Sequence, residues 1–350
     1  MYTKDLKYLL AFIPSLGAFY GLFAGGFWTY SAVVIAFVLV PILEAFFKGE
    51  GKNFPASEES SRRNIRFFDY LLYSNVLVLY SIIGFYFYQI TTQSWTISEI
   101  IGASFSVGII NGTVGINVAH ELGHRDNGFE KFLAKALLLP NLYMHFTIEH
   151  NLGHHKHVAT FKDPATSRKS EPLYFFWFRS VAGCFLGAWN LEQKRLSRIN
   201  KSSFSLENKM IQFQFIQLVY LFAIGSLFGW FAIAYAVAIA IVGFLLLETV
   251  NYIEHYGLQR KQLASGRYEP VTPQHSWNSD HQVGRILLYE LTRHADHHYK
   301  ANRPYQILKH LDNSPQLPLG YPGSMLLSLI PPLWFRVMNK KLEEFKKVEV

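Results

Sequence analysis

The chain has 350 residues, 50% of them hydrophobic and 16% aromatic, with a formal net charge of +8. Its one cysteine, Cys184, excludes an internal disulfide and any iron–sulfur centre held by four thiolates. Charge is unevenly spread, and the long charge-free runs exclude a soluble fold, which has no use for so many consecutive apolar residues.

Residues 8–43, 71–98, 100–119 and 211–247 contain no Asp, Glu, Lys or Arg. One crossing of the hydrocarbon core takes roughly 20 helical residues. The first and last runs therefore hold two crossings each, and the middle two hold one each. The first run is not a signal peptide, because a second apolar stretch follows it with no polar mature segment between. The predicted fold class is all-α and integral to the membrane, a six-transmembrane-helix bundle with a cytoplasmic histidine-rich cap. The crossings fall at about 6–24, 27–47, 67–90, 97–124, 209–229 and 231–255, with cytoplasmic segments 125–208 and 256–350, all within one domain, 1–350. The polar stretch 48–66, with its Gly, Pro and Ser, reads as a linker. Segments 129–139 and 174–189 read as helices lying at the membrane interface. The run 323–335 is short and broken by Pro331-Pro332, so it is not a seventh crossing, and the charged tail 339–350 is predicted to fray.

Lys and Arg are missing from 8–47, 67–124 and 211–259. By the positive-inside rule the short turns within these stretches face outward, and both termini face the cytoplasm. The basic excess then lies on one face, where it suits anionic lipid heads or an acidic protein partner. No nucleic acid is implied.

Fourteen histidines are present, and nine fall in four clusters at the predicted cytoplasmic ends or segments. His120 and His124 are four apart at the end of the fourth crossing, so they share a helix face and can reach one metal. His150 and His154 share a face in the same way, and His155 lies about 100° around the helix, toward a second ion. His255 ends the sixth crossing. His294 can pair with His297 or His298, and that adjacent pair can split between two metals. Imidazole suits Fe, Zn, Cu and Ni, and nine ligands are more than one ion uses. Glu121, Glu149, Glu254 and Asp296 each lie beside a ligand candidate, where a carboxylate can orient a ring N–H or bind metal itself. Glu248, Asn251 and Asn117 are polar positions on the same helices. His145, His157, His275, His281 and His310 lie outside the clusters; His145 is off the His150 face, His275 and His281 sit in a polar loop, and His310 reads as surface.

His120-Glu121-x-x-His124 is also the zinc metalloprotease pattern, but a protease needs one further ligand, not seven. Glu121-x-x-His124 matches soluble di-iron bundles, which need more carboxylates than this chain offers. A bis-histidine haem protein would pair histidines within the membrane, whereas these stand at helix ends and in doublets.

HELGHR (120–125), EHNLGHHKHVATFKDPATSR (149–168), NYIEHYGL (251–258) and LTRHADHH (291–298) resemble the membrane-bound alkane 1-monooxygenases of the integral-membrane hydroxylase and desaturase superfamily. HSWNSD (275–280) and PPLWFRVM (331–338) fit as well, so the resemblance runs from the first helix to about residue 338. The chain departs from the family pattern at Phe161, where proline is usual, and at 299–302. The resemblance implies two non-haem iron ions on His120, His124, His150, His154, His155, His255, His294, His297 and His298. It implies terminal hydroxylation of an apolar hydrocarbon with O2, and electrons from NADH through rubredoxin reductase and rubredoxin. It also implies a bacterial inner membrane location. Hydroxylation of another apolar methyl group (an aromatic side chain or the ω-end of a fatty acid) and lipid desaturation are the neighbouring activities.

Overall fold

The computed structural model describes residues 3–47, 49 and 51–348. Among the described residues every regular element is helical, and the only β pairing is two isolated bridges, Gln262 with Tyr268 and Asn278 with Gln316. The helices are α1 (Thr3–Ala24), α2 (Gly26–Phe46), α3 (Ala56–Arg63), α4 (Arg66–Thr92), α5 (Ile97–Gly123), α6 (Gly128–Leu138), α7 (146–157), α8 (Leu173–Arg198), α9 (Lys209–Phe228), α10 (Ala232–His255), α11 (Gln282–Leu287), α12 (His294–Tyr299), α13 (Tyr321–Ser328) and α14 (Pro331–Val348). Six of them, α1, α2, α4, α5, α9 and α10, are long and apolar enough to cross a membrane. They are the six crossings expected from the charge-free runs.

Polar side chains start these helices where the apolar sequence alone would not. Thr96 and Glu99 form a reciprocal capping box at the head of α5. Asn127 and Asn208 accept from the second backbone N–H of α6 and α9. Gly229, at φ 89°, makes the reversal between α9 and α10 that a side chain would strain. Large apolar side chains such as Leu16, Phe23, Leu77 and Phe222 remain exposed along the crossings, as a lipid solvent favours.

The chain divides into two compact units. The first comprises 1–39, 66–151 and 185–247. Within it α5 packs closely on α10 through small residues. A Cβ on Gly108 would lie 2.4 Å from Val242, and one on Gly112 would lie 2.6 Å from Leu246. The middle of α5 widens into a π turn, Asn111–Ile116. Helix α6, in the segment expected at the membrane interface, packs one face on the first unit and leaves Phe129 and Phe132 exposed. It buries Leu133, Ala134, Leu137 and Leu138, and Tyr80 of α4 donates to the Ala136 carbonyl at 2.8 Å. At its end the buried Asn141 donates to the carbonyls of Leu137 and Asn111. An amide finds such partners only inside the fold, so α6 turns back alongside α4 and α5.

The second unit comprises 40–65, 152–184 and 248–350. Buried Arg62 of α3 lays its guanidinium 3.8 Å over the Phe54 ring. Glu59 pairs with Lys309 at 2.8 Å. Helix α14 buries Trp334, Met338 and Leu342, spaced four apart on one stripe, with Trp334 5.4 Å from the Tyr256 ring. That stripe carries the helix to Val348, so the tail predicted to fray is helical through that residue; 349–350 lie outside the described residues.

Candidate metal centre

In the first unit, His120 in the last turn of α5, His124 just beyond it and His150 of α7 come together. Their ring centroids are 4.5 to 5.1 Å apart, and Nε2 of His124 and His150 are 3.1 Å apart. The Phe146 ring stacks on His150 at 4.5 Å. In the second unit, His154, His255, His294 and His298 form a group in which one ring nitrogen of each lies within 4.8 Å of the others, all buried. Nε2 of His154 faces Nε2 of His298 at 3.3 Å, and His294 faces His255 at the same distance. Nε2 of His155 and Nε2 of His297 face each other at 3.2 Å.

His150 and His154 therefore do not share a site. Residues His150–His154 form a π turn, whose bonds run from i to i+5. The wider turn rotates His154 off the His150 face, against the expectation from α-helical spacing. On α12, His294 and His298 turn to one group and His297 to His155.

These geometries fit metal ligation. Metal–imidazole bonds of about 2.0–2.1 Å place neighbouring ligand nitrogens about 3.0–3.4 Å apart in tetrahedral or octahedral arrangements, and the Nε2 separations match. Nδ1 of His298 is buried with no hydrogen-bond partner. Burial pushes the His298 imidazole well below its ordinary pKa, which keeps it neutral, the form that binds metal.

The carboxylates take several roles. Glu254 lies 3.1 Å from His294 Nε2 and accepts from the Tyr321 hydroxyl at 2.6 Å. Asp296 is held by Arg303 and by the Lys309 N–H, which fixes the start of α12 to the chain beyond it. Glu121 accepts from Arg125 at 2.8 Å, and Arg125 reaches Asp69 at 3.6 Å. Buried Glu149 packs where a Cβ on Gly187 would touch its Cγ at 3.4 Å.

Histidine spacing does not single out Asp163, nine residues beyond His154. Its Oδ2 lies 2.9 Å from Nδ1 of His154 and accepts from Thr166. Burial would raise this carboxyl, but His154 and Thr166 beside it hold it below the usual range. An imidazole whose far nitrogen donates to a carboxylate has its tautomer and ring plane set for the metal. The only sequence signal was an Asp-Pro turn nine residues after His154. The loop histidines serve elsewhere: the His275 carbonyl and the Ser276 hydroxyl approach Nδ1 of His255 at 3.5 Å, while the His275 ring meets Glu269. His281 pairs with Ser279. His310 is not a free surface residue, since Asp280 and Asp312 bracket it at 2.6 and 3.2 Å.

The fatty acid desaturase family model matches residues 95–324, a span that contains all nine clustered histidines. An alkane 1-monooxygenase of Pseudomonas putida is 39% identical over 327 residues, covering 93% of this chain and 79% of its own length. Alkane 1-monooxygenase 1 of Alcanivorax borkumensis is 38% identical over 319 residues, covering 91% and 78%. The chain belongs to the alkane 1-monooxygenase family. As a member of that family it is an oxidoreductase, a multi-pass membrane monooxygenase, and the zinc protease reading of 120–124 falls away. The hydroxylase component of a xylene/toluene monooxygenase of Pseudomonas putida is 26% identical over 344 residues, 96% of this chain and 88% of its own.

Proposed function

We propose that the chain hydroxylates alkanes at the terminal methyl to give 1-alkanols, with O2 as co-substrate and two iron ions held by the nine histidines. The observation that carries this reading is the clustering of nine imidazoles, the four of one group all buried, in a chain alike to alkane 1-monooxygenases over 93% of its length. His154, His255, His294 and His298 hold one ion, and His120, His124 and His150 mark the place of the other. His155 and His297 complete the set. Bound iron supplies the O2 activation needed to break an unactivated C–H bond.

The remaining steps belong to the chain itself. Asp163 accepts a hydrogen bond from the Nδ1–H of His154, which leaves Nε2 as the nitrogen that would bind metal. Glu254 lies between His294 and Tyr321 and holds that side of the group in place. Burial of all four imidazoles excludes water. An alkane has no polar handle, so its affinity comes from apolar burial at about 0.8 kcal/mol per methylene. Attack at the chain end then follows from the shape of the apolar interior, since internal C–H bonds are weaker.

With one cysteine, these 350 residues hold no four-thiolate electron carrier of their own. We assign that role to rubredoxin, reduced by NADH through its reductase, with the basic cytoplasmic face steering it. The whole chain acts as one hydroxylase domain in the bacterial inner membrane, with both termini in the cytoplasm. Hydroxylation of an aromatic side-chain methyl is the second reading, favoured by the likeness to the xylene/toluene enzyme.

The test supplies membranes with rubredoxin, reductase, NADH and 18O2, and feeds alkanes of graded length. 1-Alkanols carrying the label are expected. Label arriving from water, alkene products, or alcohols from aromatic substrates alone would overturn the alkane reading.

A further inference from the structure

His145 belongs to neither histidine group. It is 3% exposed, and both ring nitrogens are buried without a hydrogen-bond partner. Its main chain does the local structural work, since the carbonyl accepts from the N–H groups of Ile148 and Glu149 at the start of α7. Two aromatic rings lie against the imidazole. Tyr143 lies 4.2 Å away and Phe185 5.3 Å away, and Tyr143 stacks in turn on Phe244 at 5.2 Å. All of these residues belong to the first unit. The next residue, Phe146, is the one stacked on His150.

A buried imidazole with both nitrogens unused is costly unless something outside the chain bonds it. Burial pushes its pKa down to about 4. At neutral pH it is therefore uncharged and offers one N–H donor and one bare acceptor. A hydroxyl can satisfy either nitrogen. Water is a poor occupant beside the Tyr143 and Phe185 rings, because a buried water asks for two to four polar partners. An alkane has no polar atom to offer. A primary alkanol matches both features, with one hydroxyl for the imidazole and an apolar chain for the rings.

We propose that His145 is the hydrogen-bonding site of a primary alkanol, the hydroxyl on its ring and the chain against Tyr143 and Phe185. This rests on the hydroxylase reading, which makes such an alkanol the product. The site takes the new hydroxyl group five residues along the chain from His150, and it distinguishes product from substrate.

The test is equilibrium dialysis of radiolabelled 1-octanol and of radiolabelled octane against the full-length, iron-loaded protein in lipid nanodiscs. Protein-free nanodiscs are subtracted. The wild type is expected to bind 1-octanol about tenfold better than octane, the worth of one modest hydrogen bond. His145→Phe should bring 1-octanol down to the octane level and leave octane binding unchanged. His145→Gln, which can still donate and accept, should keep most of the preference. Should the Phe variant also lose octane binding, and so its fold, His145→Leu against His145→Gln makes the same comparison. A wild type with no preference, or a preference untouched in the Phe or Leu variant, would overturn the proposal. The measurement needs no turnover, so absence of alkane hydroxylation would sink the activity reading separately.

Discussion

At the residue scale, the informative side chains are those that position imidazoles. Asp163→Ala removes the acceptor for His154 Nδ1. Loss of such a partner typically weakens metal binding 10–100-fold. Iron should then leave the variant at correspondingly lower concentrations of a competing chelator; retention equal to wild type would remove Asp163 from this role. His294→Ala removes one of the four buried imidazoles proposed to hold iron, and both iron content and hydroxylation should fall to background. Wild-type iron stoichiometry in that variant would refute the ligand assignment. Acid acts on the same nitrogens. Ligating imidazoles must be neutral, and a free one protonates near pH 6.5. Burial lowers the pKa of His298, so the neutral form persists to lower pH than in an exposed histidine. Iron should remain bound above pH 6.5 and be released progressively below it. Release already at neutral pH, or full occupancy after dialysis at pH 3, would contradict imidazole ligation in a buried site.

At the element scale, the first unit depends on close approach between α5 and α10 and on the backward turn of α6. Gly243 of α10 leaves the room that Asn141 fills, since a Cβ there would lie 2.2 Å from Asn141 Oδ1. Gly243→Val should therefore displace Asn141 from its carbonyl partners. Overpacking of this kind costs about 1–3 kcal/mol, and the variant should melt several degrees lower in detergent. An unchanged midpoint would mean that the helices separate freely at this contact. The π turn at His150–His154 is the other decisive local feature. One widened turn parts His150 from His154, four residues apart, which a regular α-helix would keep on one face.

At the scale of the whole molecule, hydropathy and charge set the arrangement in the membrane. Six apolar helices account for the crossings, and the +8 net charge is carried by the stretches between and beyond them. In a Cys184→Ala background, a cysteine placed at Gly229 should react with an impermeant thiol reagent on intact cells. One placed at Lys340 should react only after the membrane is opened. The reverse pattern would invert the orientation. The same charge predicts that turnover driven by an acidic electron donor slows as salt rises, because screening shortens to about 8 Å at physiological ionic strength. Salt-independent turnover at limiting donor would argue against electrostatic docking.

The sequence by itself determined the crossings and the metal-binding character. Uncharged runs of 20 or more residues have one stable solution in lipid, and nine clustered imidazoles offer ligands beyond the needs of one ion. Its motifs also pointed to the family. Only the tertiary structure decided how the histidines divide, because that depends on a π turn that α-helical spacing does not anticipate. It also brought Asp163 to His154 and Tyr321 to Glu254, turned α6 back inside the first unit, and left His145 buried without a partner. Each of these rests on contacts between residues distant in sequence or on one irregular turn. A periodic reading registers the residues involved but not which of them meet.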